Sequence, residues 1–192
     1  MPGTNARKIT SLRMTTFDLS PRVNHHLDMA GARARAGESY AIQLPKDTTL
    51  VQWTPFFTSY WQHFGDQIGE EVPPLRPAGQ GAVQVRAVRV RPQVVLSMAP
   101  PRDLNIVLQR LDPIQAEDRF DLVIATNILL YYDVFEQSLA LANVARMLRP
   151  GGFFLTNTLV AALPATPLDL LGSTEVGYTD RGGDRILWFQ RK

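Results

Sequence analysis

The sequence predicts an α/β fold with a doubly wound, mostly parallel sheet that finishes in an antiparallel hairpin, and three observations carry that expectation. The apolar run Phe120-Asp121-Leu122-Val123-Ile124-Ala125 ends in the polar pair Thr126-Asn127, as a buried parallel strand does where it reaches the open edge of a sheet. A helical stretch then leads through Leu148-Arg149-Pro150-Gly151-Gly152 into a second apolar run, Phe153 to Thr156. Two strands joined through a helix are parallel neighbours. Near the end, the β-prone runs Thr174 to Thr179 and Arg185 to Gln190 flank Asp180-Arg181-Gly182-Gly183-Asp184, which signals a hairpin.

The remaining elements follow in chain order. Met14 to Leu19 is a short β-prone run with Asp18 near its end, and Ser20-Pro21 both stops it and opens a helix. Val23, Leu27, Ala30 and Ala34 then recur at helical spacing, so the helix extends to about Ala36. Between residues 45 and 80 the character changes. Trp53, Phe56, Phe57, Tyr60, Trp61 and Phe64 crowd together as an aromatic insertion or lid, and Pro73-Pro74, Pro77 and Gly79-Gln80-Gly81 break the chain into a surface loop. Val83, Val85, Val88 and Val90 alternate with arginines as in a half-exposed strand or strand pair, and Gln93 to Ser97 reads as a further extended piece.

After the signature strand, Asp133 is placed to cap a helix whose Leu141, Val144, Ala145 and Leu148 form an apolar stripe. Pro150-Gly151-Gly152 ends that helix, and Pro164 to Leu171 reads as a short helix or turn. The whole of residues 1–192 reads as one domain, incomplete at its amino end, with the aromatic insertion near 45–80.

Composition bounds the function. With 192 residues, 45% of them hydrophobic, the chain can bury an ordinary core. Twenty Lys and Arg against 18 Asp and Glu leave a formal charge of +2, a near balance that does not imply nucleic acid. The absence of cysteine removes disulfides, thiolate metal sites and a thiol nucleophile. Met1 to Thr16 lacks the apolar core of a signal peptide, and no run approaches the roughly 20 apolar residues of a membrane span. The expectation is a soluble, cytoplasmic protein with no membrane partner.

The element order, with its terminal hairpin, resembles the class I S-adenosylmethionine-dependent methyltransferases, and the fold class becomes a partial Rossmann-like methyltransferase sheet. Phe120 to Tyr132 is similar to their fourth-strand motif and Leu148 to Leu155 to their fifth. Leu104-Asn105-Ile106 together with Thr126-Asn127-Ile128-Leu129-Leu130-Tyr131-Tyr132-Asp133 resembles the chemoreceptor (CheR-like) branch, in which these segments line the cofactor. The resemblance implies S-adenosyl-L-methionine as cofactor, held by Asp18, Asn105, Ile106, Asn127 and Ile128. It covers Met14 to Ala36 and Arg102 to Thr158 and leaves the aromatic middle unaccounted for.

Residue chemistry agrees but leaves alternatives open. A strand-end carboxylate such as Asp18 accepts hydrogen bonds from both ribose hydroxyls, and it equally caps the following helix. Asn105 and Asn127 each offer a donor and an acceptor to an adenine edge, and each is also a turn residue. One of Tyr131 and Tyr132 is expected in the core, because adjacent side chains diverge. Asp121 opens the key strand and so lies away from the ligand edge in a structural role. His25, His26 and His63 lack metal-ligand spacing.

No Gly-rich loop precedes Asp18, so the chain reads as beginning at the second strand of the resembled fold. A truncated product, a misplaced start or a degenerate member would each produce that. Loss of a central first strand exposes apolar surface at about 25 cal/mol per Å², so self-association is expected. The leading expectation is a methyltransferase acting on an unidentified small-molecule or protein acceptor, inactive as this chain. The alternative is a noncatalytic remnant that serves as a binding module. A nucleotide-dependent oxidoreductase is disfavoured, because no G-x-G-x-x-G follows any strand.

Overall fold

The structure, a computed structural model, describes residues 12–48, 52–74, 83–111, 115–160 and 166–192. The chain divides into two compact units: Met1–Lys46 with Trp61–Asp103, and Asp47–Tyr60 with Leu104–Lys192. The expected loop at Pro77 and Gly79-Gln80-Gly81 lies outside the described residues.

The first unit is built on helix α1, Pro21–Arg35. Ser20 caps it, its Oγ accepting from the Val23 N–H at 3.4 Å, and Pro21 sits at the first helical position, where the missing N–H is no loss. Gly37 ends the helix at φ 73°, a conformation glycine adopts freely. Strand β1 (Tyr40–Thr48), helix α2 (Pro55–Ile68, of which residues 61–68 belong to this unit), β2 (Gly69–Val72), β3 (Val83–Val90) and the short helix α3 (Pro92–Leu96) follow. A three-stranded sheet has the order β1-β3-β2, with β2 antiparallel to β3 from Gly69 opposite Val90 to Val72 opposite Ala87. Ala30 and Ala34 of α1 pack with Val90 and Val95, and Tyr40, Ile42, Val94 and Met98 surround them.

Three expectations are corrected here. Met14 to Leu19 is not a strand; it makes isolated parallel bridges at Met14 to Met98 and Phe17 to Arg102. The strand expected at Val83 to Val90 forms but is not half-exposed, since Arg86, Ala87 and Val88 are all buried in succession. Arg86 is tolerated inside because its guanidinium donates to the carbonyls of Trp61 at 2.8 Å and Gln62 at 2.9 Å, with Asp66 and Glu71 within 3.8 Å. Gln93 to Ser97, read as extended, falls mostly in α3, because Pro92 supplies a preset helical start that a short apolar run cannot reveal.

The second unit holds β4 (Phe120–Ala125), helix α4 (Val134–Met147), β5 (Leu148–Thr156), β6 (Leu168–Gly177) and β7 (Gly183–Arg191) in a four-stranded sheet of order β4-β5-β7-β6. Only β4 and β5 run parallel; β5 with β7 and β7 with β6 are antiparallel. The expectation of a mostly parallel sheet is therefore overturned. One crossover through α4 forces one parallel pair, whereas the terminal hairpin adds two antiparallel ones. The hairpin itself forms as expected, closing with Gly177 opposite Gly183. Its first arm is longer than expected, and the helix or turn read from Pro164 to Leu171 gives way to β6 from Leu168; residues 161–165 lie outside the described set.

Helix α4 carries a full capping box. Asp133 accepts from the Glu136 N–H at 2.8 Å, and Glu136 accepts from the Asp133 N–H at 3.0 Å. Its Leu141, Val144 and Ala145, with Leu148, are buried against Phe154, Leu187 and Phe189 of the sheet, as the apolar stripe predicts. The helix ends at Met147, before Pro150-Gly151-Gly152, and those residues bulge within β5 between the pairs Phe120 to Leu148 and Leu122 to Phe153. The amino part of the aromatic segment packs in this unit: Trp53 meets Phe57 edge-on at 5.1 Å, and Phe57 lies 5.9 Å from Tyr178. Among the described residues no helix is long and apolar enough to cross a membrane.

Candidate functional site

The carboxyl ends of a parallel strand pair place loop residues side by side where no further strand covers them. In the second unit those ends are Ala125 on β4 and Thr156 on β5, which pair with one another, and both strands leave the sheet through a Thr-Asn sequence, Thr126-Asn127 and Thr156-Asn157. Thr126, Asn127 and Ile128 are exposed, and Asn127 has φ 58°, the left-handed region that asparagine tolerates better than other residues with a side chain. Its backbone N–H donates to Oδ1 of Asn157 at 2.8 Å, and Nδ2 of Asn157 donates back to Oδ1 of Asn127 at 2.8 Å.

Helix α4 holds the rest of this edge from behind. Leu129, 1% exposed, anchors a single 3-10 turn at Leu129–Tyr131, and Gln137 Nε2 donates to the carbonyls of Leu129 and Tyr132, each at 3.0 Å. Tyr132 packs on the core while Tyr131 is 78% exposed, so the tyrosine pair divides as expected. Asn143, further along α4, donates through Nδ2 to the carbonyls of Ile106 at 2.8 Å and Val107 at 3.0 Å. Two amides of one helix thus tie down both loops that the sequence marks for a ligand.

Within the 105–108 turn the Asn105 side chain does a turn residue's work. Its Oδ1 accepts from the N–H groups of Val107 at 3.0 Å and Leu108 at 3.3 Å, and among the described residues no hydrogen bond occupies its Nδ2. Ile106 packs against the core, and Ile128 is 39% exposed. Asp18 lies in the first unit, where its Oδ1 accepts from the Ser20 N–H at 2.6 Å and its carbonyl from Asn24 Nδ2 at 2.9 Å. The helix cap is Ser20, not Asp18. Asp121, at the amino end of β4, pairs with Arg149 at 2.7 Å in the structural role expected of it.

The sequence reading missed Gln137, Asn143 and Asn157. Gln137 and Asn143 bond to carbonyls of distant loops, and nothing local marks them. Asn157 carried a signal, the repeated Thr-Asn ending of two neighbouring strands.

Two other features lie elsewhere. A cavity of about 90 Å³ in the first unit is lined by Thr16, Asp28 and Arg35 among others. At the opposite end of the second unit's sheet, Arg191 donates to the Leu148 carbonyl. Burial holds its guanidinium pKa below the usual value, and the charges of Arg119 and Arg146 add to that lowering.

Residues 69–156 match the family model described as a methyltransferase domain. No curated protein matches the chain. Among solved structures the chain is similar to the N-methyltransferase NodS from Bradyrhizobium japonicum WM9, at 18% identity over 52% of this chain and with a TM-score of 0.38. It spans 64% of that protein's length. It is also similar to magnesium protoporphyrin IX methyltransferase (ChlM) from Synechocystis PCC 6803 with bound SAM, at 12% identity, covering 89% of this chain and 81% of that one, with a TM-score of 0.34.

Proposed function

We propose that this chain is an S-adenosyl-L-methionine-dependent methyltransferase of the class I kind, with the nucleoside end of its cofactor on the carboxyl edge of β4 and β5. One observation carries the reading: the exposed Thr126-Asn127-Ile128 loop, in a left-handed turn braced by Asn157, ends a parallel strand inside the segment that matches the methyltransferase domain model. The groups present suit a nucleoside. Asn127 and Asn105 each retain Nδ2 hydrogens after their oxygens are taken within the protein, and Ile106 and Ile128 supply apolar surface for a base. The ribose role of Asp18 is only what the resemblance implies; in its own unit its Oδ1 accepts from the Ser20 N–H.

When bound, the cofactor would supply a sulfonium methyl group to a nucleophilic acceptor, whose proton would pass to solvent, leaving a neutral thioether. The protein's share of such a transfer is chiefly to hold and orient. The loops braced by Gln137 and Asn143 are built for holding. The acceptor is a small molecule or a protein side chain.

Calorimetric titration with S-adenosylhomocysteine tests the reading. Saturable binding is expected, weakened about tenfold by Asn127→Ala, as loss of one ligand hydrogen bond implies. If Asp18→Ala leaves the affinity unchanged, the ribose assignment is wrong. No binding to the unsubstituted chain would reject the cofactor reading and leave the noncatalytic module.

A further inference from the structure

The two hydrogen bonds between Asn127 and Asn157 fix more than the position of a loop. A backbone N–H can only donate, so the Asn157 atom 2.8 Å from the Asn127 nitrogen has to be its oxygen. That orients the Asn157 amide. Its Nδ2 then faces Asn127, and the Asn127 atom that receives it has to be an oxygen as well. The sequence of donors therefore leaves Asn127 with its Nδ2 hydrogens outward, and among the described residues no hydrogen bond occupies them. Both residues are in the same compact unit, at the ends of adjacent parallel strands.

We infer that Asn157 is a positioning residue that sets the polarity of the edge: it makes Asn127 a hydrogen-bond donor to the ligand. The ligand atom recognised there is then a hydrogen-bond acceptor. This rests on the cofactor reading above and adds the residue that decides which face of the Asn127 amide is shown.

Two substitutions at position 157 separate polarity from mere bracing. Asn157→Asp keeps the acceptor for the Asn127 N–H, but its carboxylate repels Oδ1 of Asn127. The Asn127 amide turns over, gives Nδ2–H to the carboxylate and presents oxygen to the ligand. Asn157→Ala removes both bonds and leaves the amide free to choose. If Asn157 only braced the loop, alanine would be the worse change, because it removes more bonds. If it sets polarity, aspartate is the worse change.

The experiment titrates S-adenosylhomocysteine, whose net charge is zero at neutral pH, into the chain and both variants, and records the Asn127 side-chain amide signal by nitrogen-15 NMR without ligand. The expected affinity order is unsubstituted, then Asn157→Ala, then Asn157→Asp, with the last at least about tenfold weaker than the first. In Asn157→Asp the free-state amide signal of Asn127 should move as one of its hydrogens becomes bonded to a carboxylate. An unmoved signal, or alanine weaker than aspartate, overturns the polarity assignment. Absence of binding to the unsubstituted chain overturns the cofactor reading instead, so the two failures are distinguishable.

Discussion

Asn127 combines a backbone conformation and a side-chain pairing that few residues could supply together. At φ 58° a residue with a Cβ meets a steric penalty of about 1–2 kcal/mol, which asparagine offsets in part through its short polar side chain and glycine avoids. Asn127→Gly and Asn127→Ala both lose the bond from Asn157 Nδ2 and keep the backbone bond to Asn157 Oδ1, so their difference isolates the backbone term. Asn127→Ala should be less stable than Asn127→Gly by about 1 kcal/mol, read as a lower urea midpoint; equal midpoints would show that the left-handed turn is not enforced. Asn127 was legible in the sequence because an apolar strand ending in Thr-Asn has a simple reading. Asn105 was legible only as a choice between ligand and turn, since one amide can do both. Gln137 and Asn143 were not legible at all, because their partners are main-chain carbonyls whose approach is set by the folded core.

At the scale of elements, the second unit follows rules that act over short stretches of chain. The capping box at Asp133 and Glu136 and the stripe on α4 are local patterns, and the hairpin is marked by its Gly-Gly turn. Asp133→Ala should lower stability by about 1 kcal/mol, measured as a reduced urea midpoint with an unchanged slope, because it orphans the Glu136 N–H. No change would mean that solvent replaces the cap without loss. The elements that escaped the sequence reading are those whose state depends on distant partners. Strand β6 is drawn into a ladder with β7 from Leu168 to Gly177, which overrides the turn signals before it. Strand β1 holds Pro45, which is tolerated because β1 is at the edge of its sheet, where a missing N–H is no loss. The parallel character was overestimated because one strand-helix-strand unit was extended to the whole sheet.

For the whole molecule, the residues that the family resemblance groups fall in different units: Asp18 in the first, and Asn105, Ile106, Asn127 and Ile128 in the second. The sequence treats these residues as one set only through family resemblance; physics alone places Asn127 and Ile128 just past a parallel strand end. A ligand that binds the folded chain and not the unfolded one stabilises it in proportion to the logarithm of its concentration over its dissociation constant, so binding and its location can be read separately. The central claim is that the carboxyl edge of β4 and β5 is the cofactor edge. Backbone amide shift mapping by NMR during titration with S-adenosylhomocysteine tests it most directly. The predicted result is a saturable set of shifts centred on Thr126, Asn127, Ile128, Asn157 and Thr158. Saturable shifts confined to the cavity lined by Thr16, Asp28 and Arg35, with that strand edge unmoved, would contradict it.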